Sequence, residues 1–309
     1  MLVAGGCTVQ GPLANVRNVT ELSAVPFFPQ TEFDCGPAAL ATVLGASGVD
    51  TTPEALMPKV YTEGLKGSLQ VELLTATRRE GRLPILIRPA TEALIDIVAS
   101  GHPVLVLQNL RLRRSPRWHY AVVVGFENET RRVILRSGAE RRKRQRARRF
   151  AASWSLADNW GFVVAAPGTI PYGVDAGSYM RAVVESERLL AEGDIESAYM
   201  AAMSRWPEEP IVLFLGAGHE YNQGRLHEAR SLYRRVLAIE PGHVAARNNL
   251  ANVLLEQGCY EAAAAEAQLA LAQDSSTGPF REAIVETLGS IQAARTDGGS
   301  ERTGDAACS

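Results

Sequence analysis

Short apolar runs and short helical patterns alternate through the first half of the chain. Runs of β-branched and other apolar residues predict strands, because such side chains suit a pleated and buried surface. These runs are residues 83–87, 103–107, 118–125, 132–138 and 160–164, and a further strand is expected from Phe150 onward. Helices are predicted at 35–46, 68–79 and 91–99, with Ser68 as the N-cap of the second. This order predicts an α+β domain over residues 24–170.

The second half, from about residue 176, is rich in alanine and leucine and has an internal period of 34 residues. The hexapeptide at Gly224 recurs at Gly258, and Pro207 and Pro241 have the same separation. This period resembles that of tetratricopeptide repeats, in which helix-turn-helix units stack on one another. We therefore expect an all-α repeat domain over 177–294, followed by a disordered tail at 295–309. Its parts would be repeats at 177–210, 211–243 and 244–277 and a capping helix at 280–294.

One segment of the first half has candidate chemistry. Gln30 precedes Cys35 by five residues, and Cys35 opens an apolar, alanine-rich helix. The unpaired N–H groups at a helix N-terminus stabilise a thiolate and lower the pKa of the cysteine. Pro37 suits the first turn of such a helix, where its missing N–H has no consequence. The sequence therefore predicts Cys35 as a nucleophile.

His119 is the candidate base for this nucleophile. It heads a run of β-branched residues and is predicted to be the first residue of a buried strand, which would hold its imidazole rigidly. His119 lies 84 residues after Cys35, so only the fold can bring the two side chains together.

These residues resemble the papain-like cysteine peptidases that remove double-glycine leader peptides from bacteriocins. The matching pattern is Gln30, then residues 34–40, then residues 119–125, and the similarity covers residues 24–165. The resemblance implies a papain-like α+β fold in which Cys35 attacks the scissile carbonyl, His119 transfers the proton and Gln30 donates to the oxyanion. Acyl transfer needs these three functions. The alternatives are a buried structural cysteine, a hydrogen-bonded core histidine and a surface glutamine.

The sequence departs from this family where a third site residue is expected. Relatives place the carboxylate of an Asp-Pro pair opposite the histidine, where it orients the imidazole. Here a turn at 127–130 brings positions 137–139 opposite His119, and Ser137 stands there. A serine accepts a hydrogen bond from an imidazole but supplies no charge to stabilise imidazolium. Three outcomes stay open: a slow enzyme, another acceptor such as a backbone carbonyl or Asn109, or a binding descendant of a peptidase.

Composition and spacing argue against several other classes of protein. The 309 residues have a net charge of −2, which gives no general reason to expect nucleic acid or a membrane surface as a partner. Four scattered cysteines and five histidines show no metal-ligand spacing, and a Gly-rich phosphate loop is missing. We expect no metal, no cofactor and no disulfide framework, with Cys259 as a packing residue. No stretch approaches the length of a membrane span.

Residues 1–23 predict a tether. Gly5-Gly6-Cys7 resembles the end of a bacterial lipoprotein signal, although a charged segment is missing and Ala4 replaces the usual leucine. If translation starts upstream, we expect lipidation of Cys7 and attachment to the membrane of the bacterial cell envelope. Otherwise Cys7 is incidental and the protein is expected in the cytoplasm.

Residues 141–149 hold seven cations in nine positions. A solvated hairpin is expected here, so no nucleic-acid partner is predicted. The positive potential of the run would nevertheless favour acidic substrates, and it is the basis of the nucleic-acid alternative.

Together these patterns predict a thiol-dependent peptidase fused to repeats whose groove binds a protein substrate or an envelope partner. The rival hypothesis is a catalytically weak or inactive peptidase fold that acts as a peptide-binding scaffold, with the repeats as its main working part.

Overall fold

The computed structural model describes residues 19–30, 34–275, 277–296 and residue 308. The chain divides into two compact units, Met1–Ala201 and Ala202–Ser309. No helix in these described residues is long and apolar enough to cross a bilayer.

The described part of the first unit is built on a seven-stranded antiparallel sheet. Its strands are β1 (Val19–Glu21), β2 (Leu83–Leu86), β3 (Val104–Asn109), β4 (Trp118–Glu127), β5 (Arg132–Ser137), β6 (Glu140–Arg146) and β7 (Gly161–Ala165). They lie in the order β2-β7-β3-β4-β5-β6, and β1 pairs with the end of β4. Since β3 pairs with the first half of β4 and β5 with the opposite edge, β1 extends the edge that β3 occupies.

Helices cover both faces of this sheet. They are α1 (Cys35–Ala46), α2 (Pro53–Val60), α3 (Gln70–Arg79), α4 (Thr91–Ala99), α5 (Ala147–Ser155) and α6 (Ala176–Val184), with a single 3₁₀ turn at Glu63–Leu65. Tyr120 and Val122 share a core with α1, whereas Ala121 and Val123, which point to the other face, are equally buried. Helices α4 and α5 also pack on the sheet. The continuous apolar run of β4 follows from this double burial.

Two local predictions in the first unit were wrong. Helix α3 begins after Leu69 rather than Ser68, and the Glu72 carboxylate accepts a hydrogen bond from the Leu69 N–H at 3.1 Å. The predicted strand from Phe150 is instead part of α5. Its buried residues follow a helical spacing and its arginines are exposed. In the cationic run, residues 141–146 lie in β6 of the β5–β6 hairpin, as predicted, and residues 147–149 begin α5.

The second unit consists of paired helices. Helix α7 (Glu192–Arg205) crosses the boundary between the units, and α8 (Pro210–Asn222), α9 (Leu226–Ile239), α10 (Val244–Glu256), α11 (Tyr260–Gln273) and α12 (Arg281–Thr296) follow. The pairs α8–α9 and α10–α11 pack together at the positions of the second and third predicted repeats. Fully buried alanines allow this close packing, among them Ala217, Ala229, Ala251 and Ala263.

The ends of the repeat region differ from the sequence prediction. Helix α6 packs against β2 in the first unit, although the period placed residues 177–210 in the first repeat. Local spacing predicts a helix pair but does not determine which core the pair joins. Helix α12 continues to Thr296, so the predicted tail starts as helix, while residues 297–307 and 309 lie outside the described residues.

The structure contains a disulfide between Cys259 and Cys308, whose Cα atoms are 5.6 Å apart. The sequence prediction missed this pair because 49 residues separate the two cysteines and no spacing rule connects them. Among the described residues, Cys35 is the free cysteine.

Candidate active site

Cys35 is placed by the close approach of two chain segments. It is the first residue of α1 and is partly buried. A Cβ atom on the next residue, Gly36, would lie 2.3 Å from Ser68 Oγ and 2.6 Å from Ser68 Cβ. Only glycine fits here without displacing Ser68, so the start of α1 is fixed against Ser68, two residues before α3.

The Cys35 thiol is protonated in the free protein near neutral pH. Burial raises the pKa of Cys35, and the negative charge of Asp34 raises it further. Hydrogen bonds from the backbone N–H groups of Tyr120 and Gly36 lower it only in part. The sequence prediction that the helix N-terminus lowers the pKa was therefore wrong in its net sign, because desolvation outweighs these donors. The Tyr120 contact also places the sulfur beside the peptide that follows His119.

His119 is held by Ser137. His119 Nε2 and Ser137 Oγ are 2.7 Å apart, and Ser137 is buried. Extending the β4–β5 pairing of Val122 with Arg136 places Ala121 opposite Ser137, so His119 and Ser137 are diagonal neighbours on one face of the sheet. The sequence placed Ser137 at this position from the hairpin alone.

The His119 imidazole is neutral near neutral pH. Burial, together with the positive charges of Lys143 and Arg117, lowers its pKa to about 4. In the tautomer whose Nε2–H donates to Ser137 Oγ, the other ring nitrogen, Nδ1, is left to accept a proton.

Asn109 is not the acceptor for His119. Its side-chain oxygen accepts hydrogen bonds from the backbone N–H groups of Arg111 and Arg117, at 3.0 and 3.1 Å. Asn109 therefore closes the loop between β3 and β4. This excludes the alternative in which Asn109 orients the imidazole in this structure.

Gln30 is joined to the same corner of the sheet. Its backbone N–H donates to the Gly138 carbonyl at 2.9 Å, and the Gly138 N–H donates to Gln30 Oε1 at 2.7 Å. Because the Gly138 group is a donor, the facing atom must be the amide oxygen, which leaves the NH₂ group to donate elsewhere. Gln30, Ser137 and His119 are thus connected through Gly138, whereas residues 31–33 lie outside the described residues.

Sequence reasoning missed the contributions of Lys143, Arg117 and Tyr120 to this site. Lys143 lies on β6 and pairs in register with Leu135 of β5, which brings it near His119. The cationic run at 141–149 contains Lys143 and could have indicated a positive charge near the site, but the run was interpreted as a solvated hairpin. In the part of the chain that the structure describes, no group of three or more His, Cys, Asp or Glu residues could hold a metal ion.

Two family models match separate parts of this chain. Residues 22–161 match the model of the Peptidase_C39 like family, and residues 221–279 match a tetratricopeptide repeat model. A solved structure described as a C39-like peptidase from Bacillus anthracis covers 48% of this chain and 98% of its own, with 15% identity and a TM-score of 0.41. The peptidase domain of Streptococcus ComA, a bi-functional ABC transporter involved in quorum sensing, covers 46% of this chain and 98% of its own, with 23% identity and a TM-score of 0.37. No curated protein matches the chain.

The fold class predicted from the sequence is confirmed by the antiparallel sheet, the helical repeats and the two family models. The chain contains a C39-like peptidase domain followed by tetratricopeptide repeats.

Proposed function

We propose that the first unit hydrolyses peptide bonds, with Cys35 as nucleophile, His119 as general base and acid, and Gln30 as oxyanion donor. The observation that carries the proposal is the connection of these groups at one corner of the sheet. His119 is bonded to Ser137, Gln30 is bonded to the adjacent Gly138, and the Cys35 sulfur accepts from the peptide N–H that follows His119. The residues 22–161 that match the peptidase family include all four side chains.

The reaction starts from a neutral pair, since the pKa of Cys35 is raised and that of His119 is about 4. As the sulfur attacks the carbonyl carbon, His119 Nδ1 takes the thiol proton and the Gln30 NH₂ group donates to the developing oxyanion. The imidazolium then returns the proton to the leaving amine, and a thioester with Cys35 remains. Water, deprotonated by His119, hydrolyses the thioester and regenerates the thiol.

Ser137 is compatible with the tautomer that this sequence of steps needs, because its hydroxyl oxygen can accept a hydrogen bond from Nε2–H. When Nε2–H donates to Ser137 Oγ, Nδ1 is unprotonated and can act as a base. Ser137 supplies no negative charge, however, and Lys143 and Arg117 disfavour imidazolium. We therefore expect a slower proton transfer than a carboxylate partner would give.

The test is peptide cleavage by wild-type protein and by Cys35→Ala. Digestion of a peptide library, followed by mass spectrometry, should give products that fall about 1,000-fold or more in rate in the variant, because the covalent route is lost. The control Cys259→Ser/Cys308→Ser removes the disulfide and retains Cys35, so it should keep activity if thermal melting shows it folded. Equal cleavage by wild type and Cys35→Ala would contradict the proposal.

The rival function is peptide binding without turnover. The raised pKa of Cys35, the lowered pKa of His119 and the serine at position 137 favour it. It predicts that library peptides bind without being cut. Products whose formation depends on Cys35 would reject it.

The repeats are proposed to hold a protein substrate or another protein partner. Residues 221–279 match the repeat model, and stacked helix pairs present a groove that commonly takes an extended peptide or a helix. A photocrosslinking residue at partly buried Leu215 or Asn252 should capture a protein substrate once cleavage has identified one. Failure of both positions to capture the identified substrate would contradict this role.

Attachment to a membrane through Cys7 is a separate proposal. Cys7 lies outside the described residues, so its support is the sequence pattern alone. Metabolic labelling with a radioactive fatty acid should mark the wild type and not Cys7→Ser. Absence of label in both would favour the cytoplasmic alternative.

A further inference from the structure

We propose that a cationic cleft beside His119 binds acidic side chains of the peptide substrate. The cleft has a volume of about 730 Å³ and is lined by eleven residues, two of which are His119 and Ser137. The proposal rests on the proposed function, since it names the substrate class of the same site.

The lining of this cleft has one sign of charge. Six of its residues are cations and none is an aspartate or glutamate; the cations are Arg132, Lys143, Arg144, Arg146, Arg148 and Arg149. Walls of a single sign concentrate the potential in a concave site. The net charge of the chain is −2, so this positive field is a local property of the cleft.

Most of this charge is not neutralised within the protein. Arg144 pairs with Glu127, and Lys143 lies 4.0 Å from Glu140. Among the described residues, the other four cationic side chains have no ion pair with an aspartate or glutamate. Arginine guanidinium groups bind carboxylates in a bidentate manner, so these side chains are suited to glutamate and aspartate of a bound peptide.

The positive field reaches the proposed reacting groups. Lys143 lines the cleft, and its charge contributes to the low pKa of His119. A substrate carboxylate near Lys143 would offset this effect and favour imidazolium during proton transfer. Acidic side chains would thereby assist both binding and turnover.

The cleft fits a peptide better than nucleic acid or a lipid surface. Its lining contains no phenylalanine, tyrosine or tryptophan, whereas sites for single-stranded nucleic acid stack bases on such rings. A lipid surface is broad and flat, whereas this site is concave. Gln145 also lines the cleft and is partly exposed, so its side-chain amide suits a peptide backbone group.

The test measures binding in a full-length chain that cannot cut its ligand. Cys35→Ala protein is titrated into two fluorescein-labelled peptides of about 12 residues that differ only in four glutamates replaced by glutamines. We expect the glutamate peptide to bind about tenfold more tightly, a difference that decreases with salt. Adding Arg146→Gln/Arg149→Gln should remove this difference, because both side chains line the cleft.

The matched control is Arg79→Gln/Arg188→Gln, which removes the same charge from exposed arginines that do not line the cleft. It should retain the tenfold preference. Equal affinity for the two peptides, or equal loss in both double variants, would overturn the proposal. Tighter binding of a single-stranded oligonucleotide or of anionic phosphatidylserine vesicles, in competition with the glutamate peptide, would also overturn it.

Cleavage by protein that retains Cys35 separates this proposal from the proposed function. If glutamate-selective binding depends on Arg146 and Arg149 but no product depends on Cys35, the peptidase proposal fails and the cleft stands as a site for acidic peptides. If Cys35-dependent products form without any preference for glutamate, the peptidase proposal stands and the cleft proposal fails.

Discussion

The two units differ in how far apart in the sequence their polar contacts lie. In the first unit, Gln30 bonds Gly138 across 108 residues, and Arg136 bonds the Leu22 carbonyl across 114. In the second unit, side-chain hydrogen bonds join neighbouring helices, such as Tyr221 to Glu256 across 35 residues. Ala229 and Ala251 belong to the core between these helices. The site therefore depends on a few distant hydrogen bonds, whereas the repeats depend on a locally repeated pattern. We therefore expect single substitutions to change activity and stability more strongly in the first unit than in the second.

The largest expected effect is a gain in the rate of peptide cleavage by Ser137→Asp. Ser137 Oγ lies 2.7 Å from His119 Nε2. A carboxylate at this position would stabilise imidazolium and raise the pKa of His119 by about one to three units. Peptide cleavage should then rise about tenfold or more, because the charged partner missing from this site is restored. The measurement is kcat/KM on a library-derived substrate, together with an NMR titration of the imidazole.

Ser137→Ala is the matched control for this change. It removes the acceptor without adding charge and should reduce kcat while leaving the fold intact. A raised pKa of His119 without any gain in cleavage by Ser137→Asp would show that a missing charge does not limit the reaction.

Two glycine substitutions compare the units directly. In the first unit, Gly36→Ala would place its Cβ atom 2.3 Å from Ser68 Oγ, so we expect a loss of about 1–3 kcal/mol in stability. In the second unit, Gly289 lies in α12 with no atom within 4 Å of such a Cβ. Gly289→Ala should therefore gain about 0.5–1 kcal/mol from helix propensity. Hydrogen exchange of the α1 and α12 amides would measure each effect locally, and the same sign at both sites would contradict the comparison.

A smaller effect, on the pKa of His119, is expected from Lys143→Gln. Removing this positive charge should raise the pKa of His119 from about 4 by a few tenths of a unit to one unit. Imidazole NMR titration is the measurement, and Arg79→Gln is the control. No shift would show that Lys143 does not contribute to the low pKa of His119.

The same pKa determines how this histidine affects stability. Because the folded-state pKa of about 4 lies below the ordinary value of 6.5, the unfolded chain takes up the proton first as the pH falls. The contribution of neutral His119 to stability is therefore complete above pH 6.5 and is lost as the pH falls towards 4. Urea titrations at pH 7 and pH 4 should differ less for His119→Gln than for wild type.

Several features of the first unit could be predicted from sequence because their signals are local. The apolar run after His119 predicted β4, and the turn after it placed Ser137 near His119. The prediction of a strand from Phe150 was wrong because the apolar residues there also fit a helix. Only the packing of α5 on the sheet selects the helix over the strand. The prediction that the pKa of Cys35 is lowered was wrong for a related reason. Burial raises this pKa, and burial is a property of the tertiary structure.

The sequence by itself determined the order of elements, the cysteine and histidine of the candidate site, and the 34-residue period of the repeats. These depend on residue type and spacing along the chain. The tertiary structure decided which core α6 joins, the pairing of Cys259 with Cys308 and the connection of Gln30 to Gly138. It also placed the cations of β6 and α5 beside His119. Each of these depends on which distant segments meet and how much water they exclude, and neither quantity is encoded in local spacing.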